Sequence, residues 1–215
     1  MSVLEARLPS LKRRPKRLRT RAQIIAAAAR QMERLGYENL TVEVITESLG
    51  IARGTFYLHF RDRSHVATTV IRIYLALRAR CRPRGGRSLP IREALLRLNR
   101  YYVAVYARNV QLLHVRELLT RAQSEHGLGG LGLNSRWAER VLADVCARGL
   151  GGPVPVKQSQ LLLRVHGAVA MSDELLRRIF LVRAPGLEAY RDDEEAVVQA
   201  LTDMWYRIIY ARVVE

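Results

Sequence analysis

Only two cysteines, Cys81 and Cys146, occur in the 215 residues. They lie far apart and no export signal precedes them, so they read as reduced thiols rather than a disulfide framework. No apolar run approaches the roughly 18–20 residues of a membrane span. The stretch "IIAAAA" at 24–29 is short and meets Arg30 at once. A cytoplasmic protein with no membrane partner is the expectation. The histidines and cysteines lack metal-ligand spacing, and no HExxH, GxSxG or P-loop pattern occurs. No metal, no cofactor and no enzymatic activity are therefore expected. "GLGGLG" at 127–132 has the outline of a dinucleotide loop. No strand precedes it, however, and no acidic residue follows about twenty positions on, so it reads as a loop between helices. Strand signal is sparse throughout. Apolar residues recur at three- and four-residue spacing, which predicts an all-α chain of about nine helices.

What is abundant is positive charge. The formal net charge is +16, in a chain that is 49% hydrophobic and so able to bury a core. Residues 1–90 carry 19 Lys and Arg against 6 Asp and Glu, whereas residues 91–215 carry 17 against 14. Charge confined to one end points to a polyanion as partner.

Residues 1–19 are basic, broken by Pro9 and Pro15, and read as a flexible arm. Its "KRRPKRLRTR" (12–21) either reaches along DNA phosphates or into the minor groove, or is a solvated tail. A first helix is predicted from Thr20 to Leu35, with Ile25, Ala28, Met32 and Leu35 buried and Gly36 ending it. Thr41 caps a short second helix through Leu49, and Gly50 turns the chain. A third helix covers about 52–59, and a fourth starts at Ser64 as N-cap, burying Val66, Val70, Ile73 and Leu77. "CRPRGGRSLP" (81–90) reads as a linker. Further helices are predicted near 90–108, 110–124, 134–149, 156–183 and 191–212, with Asp192 to Glu195 favouring the start of the last.

Residues 50–63, "GIARGTFYLHFRDR", carry the chemistry. On a helical wheel, Phe56 and Phe60 fall together at about 300° and 340° from Arg53, on a core side. Leu58 centres the opposite side, beside Gly54 and Thr55, with Tyr57 and His59 on the two shoulders. Such a helix suits a DNA major groove. Gly54 lets the backbone approach; Thr55 and Arg53 can reach a base edge or a phosphate; Leu58 can meet a thymine methyl; Tyr57 and His59 can reach phosphates. With the preceding short helix and glycine turn it forms a helix-turn-helix.

These residues resemble a known family. The stretch from Thr20 to Leu77, above all "GYENLTVEVITESLGI" and "GTFYLHFRDR", is similar to the DNA-binding region of the TetR/AcrR family of bacterial regulators. The resemblance covers about a quarter of the chain. It implies an all-α homodimer with an N-terminal three-helix helix-turn-helix domain and a larger C-terminal ligand-binding and dimerisation domain. The segments would be an arm (1–19), a DNA-binding domain (20–66) and a regulatory domain (67–215). Carried over by position, Thr41, Arg53, Thr55, Tyr57, His59 and Arg63 look like DNA contacts. Two residues depart from the pattern. Ala52 stands where the recognition helix usually has a capping Ser or Thr. Glu43 stands near a usual phosphate contact, and an acid there would repel DNA, so it is left out of the contact set.

In the C-terminal half, the helix over 156–183 is apolar on more than one side. Leu162, Val165, Val169, Leu176, Leu201, Trp205 and Ile208 are the candidate dimer contacts, in a bundle of four helices from two subunits. Tyr102, Tyr106, His114, Trp137, His166 and Met171 are candidate liners of a small-molecule pocket. The function expected is a ligand-responsive regulator, a repressor that binds a near-palindromic operator as a dimer and is released by a small molecule. Helix four would be the lever. The alternatives are an architectural DNA-binding protein of low specificity, or an activator without a small-molecule ligand.

Overall fold

The computed structural model describes residues 15–83, 88–122, 133–148 and 158–210. No strand occurs among them. The order is α1 (Lys16–Leu35), α2 (Val42–Glu47), α3 (Arg53–Tyr57), α4 (Arg63–Cys81), α5 (Ile91–Arg108), α6 (Val110–Ala122), α7 (Leu133–Ala147) and α8 (Gln158–Leu176). A π-helical turn (Arg177–Val182) extends α8, a 3-10 turn (Glu188–Arg191) follows, and α9 (Glu194–Tyr210) is the last helix. The fold is all-α, with one long and two short helices at the N-terminal end and a larger helical remainder. The "GLGGLG" loop, Pro153, Pro155 and most of the basic arm lie outside the described residues.

The chain forms two compact units. One holds α1–α4 with α6, and the other holds α5 with α7–α9. In the first unit, α1 begins at Lys16, one turn before the predicted Thr20, so residues 16–19 are helical rather than flexible. Pro15 starts this helix instead of interrupting it. Its missing N–H is one the first turn does not need, and its carbonyl accepts from Leu18 N at 3.0 Å and Arg19 N at 3.2 Å. Thr20 is therefore an interior residue, its hydroxyl donating to Lys16 O at 3.1 Å. The alanine run lets α1 pack on more than one side: Ile24 through Ala29 are all buried, while Leu35 is only half-buried. Gly36 ends the helix with φ +78° as its N–H returns to Met32 O.

Helix α4 is buried on two sides, through Val66, Ala67, Val70, Ile71 and Leu75; Ile73 and Leu77, expected inside, are half-buried. Its cap is not Ser64. The Asp62 carboxylate accepts from His65 N at 2.7 Å, the geometry of an N-cap two residues earlier.

In the second unit α9 packs along α5 and α8, and α7 packs on α8. A polar seam runs through this apolar core. The Trp205 indole donates to Ser172 Oγ at 2.6 Å, and Ser172 donates to Ala168 O at 2.8 Å. Asn99 donates to Thr202 Oγ1 at 3.1 Å, and Thr202 donates to Val198 O at 2.7 Å. These bonds compensate the burial of each group and fix the register of α5, α8 and α9. Asp193 caps α9 by accepting from Ala196 N, and Glu194 and Glu195 occupy its first turn, where the helix dipole favours them.

Candidate nucleic-acid interface

The helix-turn-helix is α2, a turn through Gly50 at φ +63°, and α3. Thr41 caps α2, its hydroxyl accepting from Val44 N at 3.2 Å. Helix α3 has only five residues, shorter than the predicted 52–59, and Ala52 supplies no side-chain cap. Leu58 keeps helical dihedrals, and His59 N and Phe60 N both return to Phe56 O. The wheel geometry thus persists just past the helix end.

What holds so short a helix is its inner side. Phe56 and Phe60 are 0% and 1% exposed, with ring centroids 5.7 Å apart. Burying two such rings is worth several times what an uncapped turn can supply. The outer side is bare: Leu58 is 74% and Tyr57 55% exposed. Arg53 and Gly54 are exposed, and Thr55 and His59 are half-buried. A Cβ on Gly54 would meet nothing within 4 Å among the described residues, so no contact with them calls for glycine there.

The proposed contact residues differ in what already holds them. Arg63 donates from Nη1 to Leu40 O at 3.1 Å and Glu38 O at 3.3 Å, with its guanidinium 5.0 Å over the Tyr37 ring. It ties the start of α4 to the turn before α2. Arg53 Nη1 lies 2.9 Å from Glu43 Oε1. Partial burial, then the charges of Arg17 and Arg21, hold the His59 imidazole below its ordinary pKa. Arg21 also lies 4.8 Å over Phe60. Arg17 and Arg21 of α1 therefore face the recognition segment. The sequence places both in the basic stretch 12–21 without singling them out, because a helix predicted from Thr20 leaves Arg17 outside it.

The candidate pocket residues separate. His114 is in the first unit, its Nε2 3.4 Å from Glu38 Oε1. Tyr102, Tyr106, His166 and Met171 are in the second. Tyr102 and Tyr106 are buried; the Tyr106 hydroxyl donates to Asp173 at 2.8 Å, and Arg82 lies over the Tyr102 ring. The Trp137 side chain lies outside the described residues. Of the candidate dimer contacts, Val165, Val169, Leu176, Leu201 and Trp205 are buried inside the protomer, 0–4% exposed. They fill the core because α5 and α9 cover that side of α8. Leu162 and Ile208 are half-buried. The large apolar groups these helices leave exposed are Leu163, Met204 and Tyr206.

Among the described residues no cluster of three His, Cys, Asp or Glu could hold a metal, and no helix is long and apolar enough to cross a membrane. Cys81 and Cys146 are free and exposed.

Comparison with known proteins agrees with this geometry. Residues 24–67 match the model of the bacterial regulatory proteins, tetR family. No curated protein sequence matches the chain. A regulator of Mesorhizobium loti assigned to the TetR family shares the fold with a TM-score of 0.62 at 18% identity, over 90% of this chain and 98% of its own. The fatty acid degradation regulator FadR of Bacillus halodurans gives 0.56 at 19% identity, over 88% and 94%. A TetR family transcription regulator of Marinobacter aquaeolei gives 0.53 at 15% identity, over 90% and 96%. The matched segment contains α2, the turn and α3, so the helix-turn-helix of this chain is similar to that of the tetR family of bacterial regulatory proteins.

Proposed function

We propose that the chain is a cytoplasmic, homodimeric repressor that binds a near-palindromic operator and is released by a small molecule. Residues 20–66 form the DNA-binding domain, and residues 67–215 bind the effector and the second subunit. Two copies of α3 enter successive major grooves about 34–36 Å apart. The observation that carries this reading is the division of α3 into a sealed side and a bare one. Phe56 and Phe60 are inside, and Tyr57, Leu58 and Gly54 are outside. Arg53, Thr55 and Leu58 meet base edges, while Tyr57 and His59 meet phosphates, joined by Arg17 and Arg21 of α1. Thr41 and Arg63 act mainly by holding the motif, since their polar atoms are already engaged within it.

The second subunit meets the exposed side of α8 and α9 through Leu163, Met204 and Tyr206, flanked by Leu162 and Ile208. The effector contacts belong to α5 and α8, around Tyr102, His166 and Met171. The test is binding of the full chain to the DNA upstream of its own gene, with and without a metabolite library. Y57A and H59A should weaken binding across sequences, and R53A and T55A should also change sequence preference. No effect from all four would remove the assignment of the site. A ratio of specific to non-specific affinity well below about 10³ would favour an architectural protein instead.

A further inference from the structure

The pair between Glu43 and Arg53 joins the two helices of the motif. Glu43 is the second residue of α2, and Arg53 is the first residue of α3. Arg53 Nη1 and Glu43 Oε1 are 2.9 Å apart. An acid beside a DNA-binding face costs attraction to phosphate. Helix α2 does not need this one as a cap either, because Thr41 already serves. Its carboxylate is nevertheless held by its own backbone N–H, by the Thr41 side chain and by Arg53, and these contacts keep it below the ordinary carboxylate range. The order of contacts is therefore Thr41, Glu43, Arg53.

Arg53 is the residue that most needs such a hold. Its side chain is 65% exposed, and it sits at the start of a five-residue helix with no side-chain cap. A free arginine there would spread over many rotamers and meet whichever phosphate or base came near. Held at Nη1 by Glu43, the guanidinium still has Nε and Nη2 donors in its rigid plane. That edge suits the O6 and N7 acceptors of a guanine.

We propose that Glu43 is a specificity-determining positioning residue, which orients the Arg53 guanidinium so that it reads one guanine per half-site rather than binding phosphate. This rests on the reading of α3 as the recognition helix. It reverses the expectation that the acid at this position is only an obstacle to DNA. Part of the general attraction to DNA is given up, and selectivity at one base pair is gained.

The experiment is selection of a randomised duplex library by the full-length chain, followed by affinities for the selected duplex and its single-base variants. Wild type, E43Q, E43D, R53A and the E43Q/R53A double variant are compared. A bidentate arginine–guanine contact discriminates about 5- to 150-fold, so R53A should abolish the preference at one base pair per half-site. E43Q should lower the preference at that same pair about threefold or more, while affinity for unrelated duplex stays level or rises. E43D keeps the negative charge at the start of α2 but is one methylene shorter. It should behave like E43Q, which separates positioning from a helix-dipole effect. In the R53A background, E43Q should change discrimination no further.

Unchanged discrimination in E43Q overturns the proposal, as does an E43Q effect that persists without Arg53. So does an R53A variant that keeps every base preference while the slope of log affinity against log salt falls by about 0.9, the mark of a lost phosphate contact. In those cases the recognition helix still stands if T55A alters the selected sequence. If the wild-type chain selects no sequence at all, the reading of α3 fails together with the proposal.

Discussion

Leu58 on the recognition segment and Leu163 on α8 are almost equally exposed, at 74% and 73%, but they rest on different supports. Under Leu58 is a five-residue helix without a side-chain cap, anchored by two phenylalanines. Under Leu163 is a 19-residue helix with a core of its own and a hydrogen-bonded polar seam. A short presenting element borrows its position from a few buried anchors, so its geometry stands or falls with them. A long helix in a seamed core spreads the task over many contacts, which leaves its outer side chains free to be replaced. The same exposure therefore marks a residue held by a few anchors in one unit and an open face in the other.

The comparison can be broken hardest at the anchors. F56A removes a fully buried ring and should cost about 3–5 kcal/mol in urea unfolding, with DNA binding lost. A cost below about 1 kcal/mol would mean that the segment is held by something else. The seam gives the next effect. S172A leaves the Trp205 indole N–H without its partner and should cost about 1–3 kcal/mol, while DNA affinity of the folded protein stays unchanged. A large loss of DNA affinity in S172A would show that the two supports are not separate.

The exposed leucines sharpen the contrast. L58A and L163D should each leave stability within about 0.5 kcal/mol of wild type, measured below the dimer concentration range for the second. L58A should weaken specific DNA binding, and L163D should shift sedimentation towards the monomer. If both variants act on DNA alone, α8 offers no face to a second copy.

The effect of pH is smaller. His59 is held below its ordinary pKa in the folded chain by burial and by Arg17 and Arg21. The unfolded chain therefore binds more protons at this site around and just below the ordinary value of 6.5. The contribution of His59 to stability is present above 6.5 and is lost as pH falls through the lowered folded value. Phosphate nearby would favour the imidazolium, so DNA affinity should rise over the same fall in pH, and H59Q should flatten that dependence. The smallest effect belongs to Glu174, an exposed carboxylate held at about 2, chiefly by hydrogen bonds from Arg177 and Arg178. Its contribution is present above the ordinary 4.5 and is lost as pH falls towards about 2. A small difference in Tm between wild type and E174Q should vanish over that window.

Much of this was readable in the residues. Repeats of three and four gave the helix class and most helix positions, and the wheel separated Phe56 and Phe60 from Leu58. The misplaced starts of α1 and α4 were local errors. Pro15 reads as a break but opens a helix, and Ser64 reads as a cap where Asp62 serves. The partners of single side chains were less legible. Glu43 meets Arg53, Arg63 meets the turn before α2, and Trp205 meets Ser172. Each is held by a group far along the chain, as with Arg63 and Leu40, 23 residues apart, or Trp205 and Ser172, 33 apart.

The amino-acid order alone determined that this chain is helical, that its charge gathers at one end, and that residues 53–60 have an apolar side and a bare one. Those are consequences of a fixed rise and turn per residue, and they need no knowledge of neighbours. Only the tertiary structure decided that Glu43 meets Arg53, that Arg17 and Arg21 face His59, and that Val165 and Trp205 are covered within one protomer. A side chain's partner depends on which surfaces close over it, and packing settles that across distances that periodicity does not see.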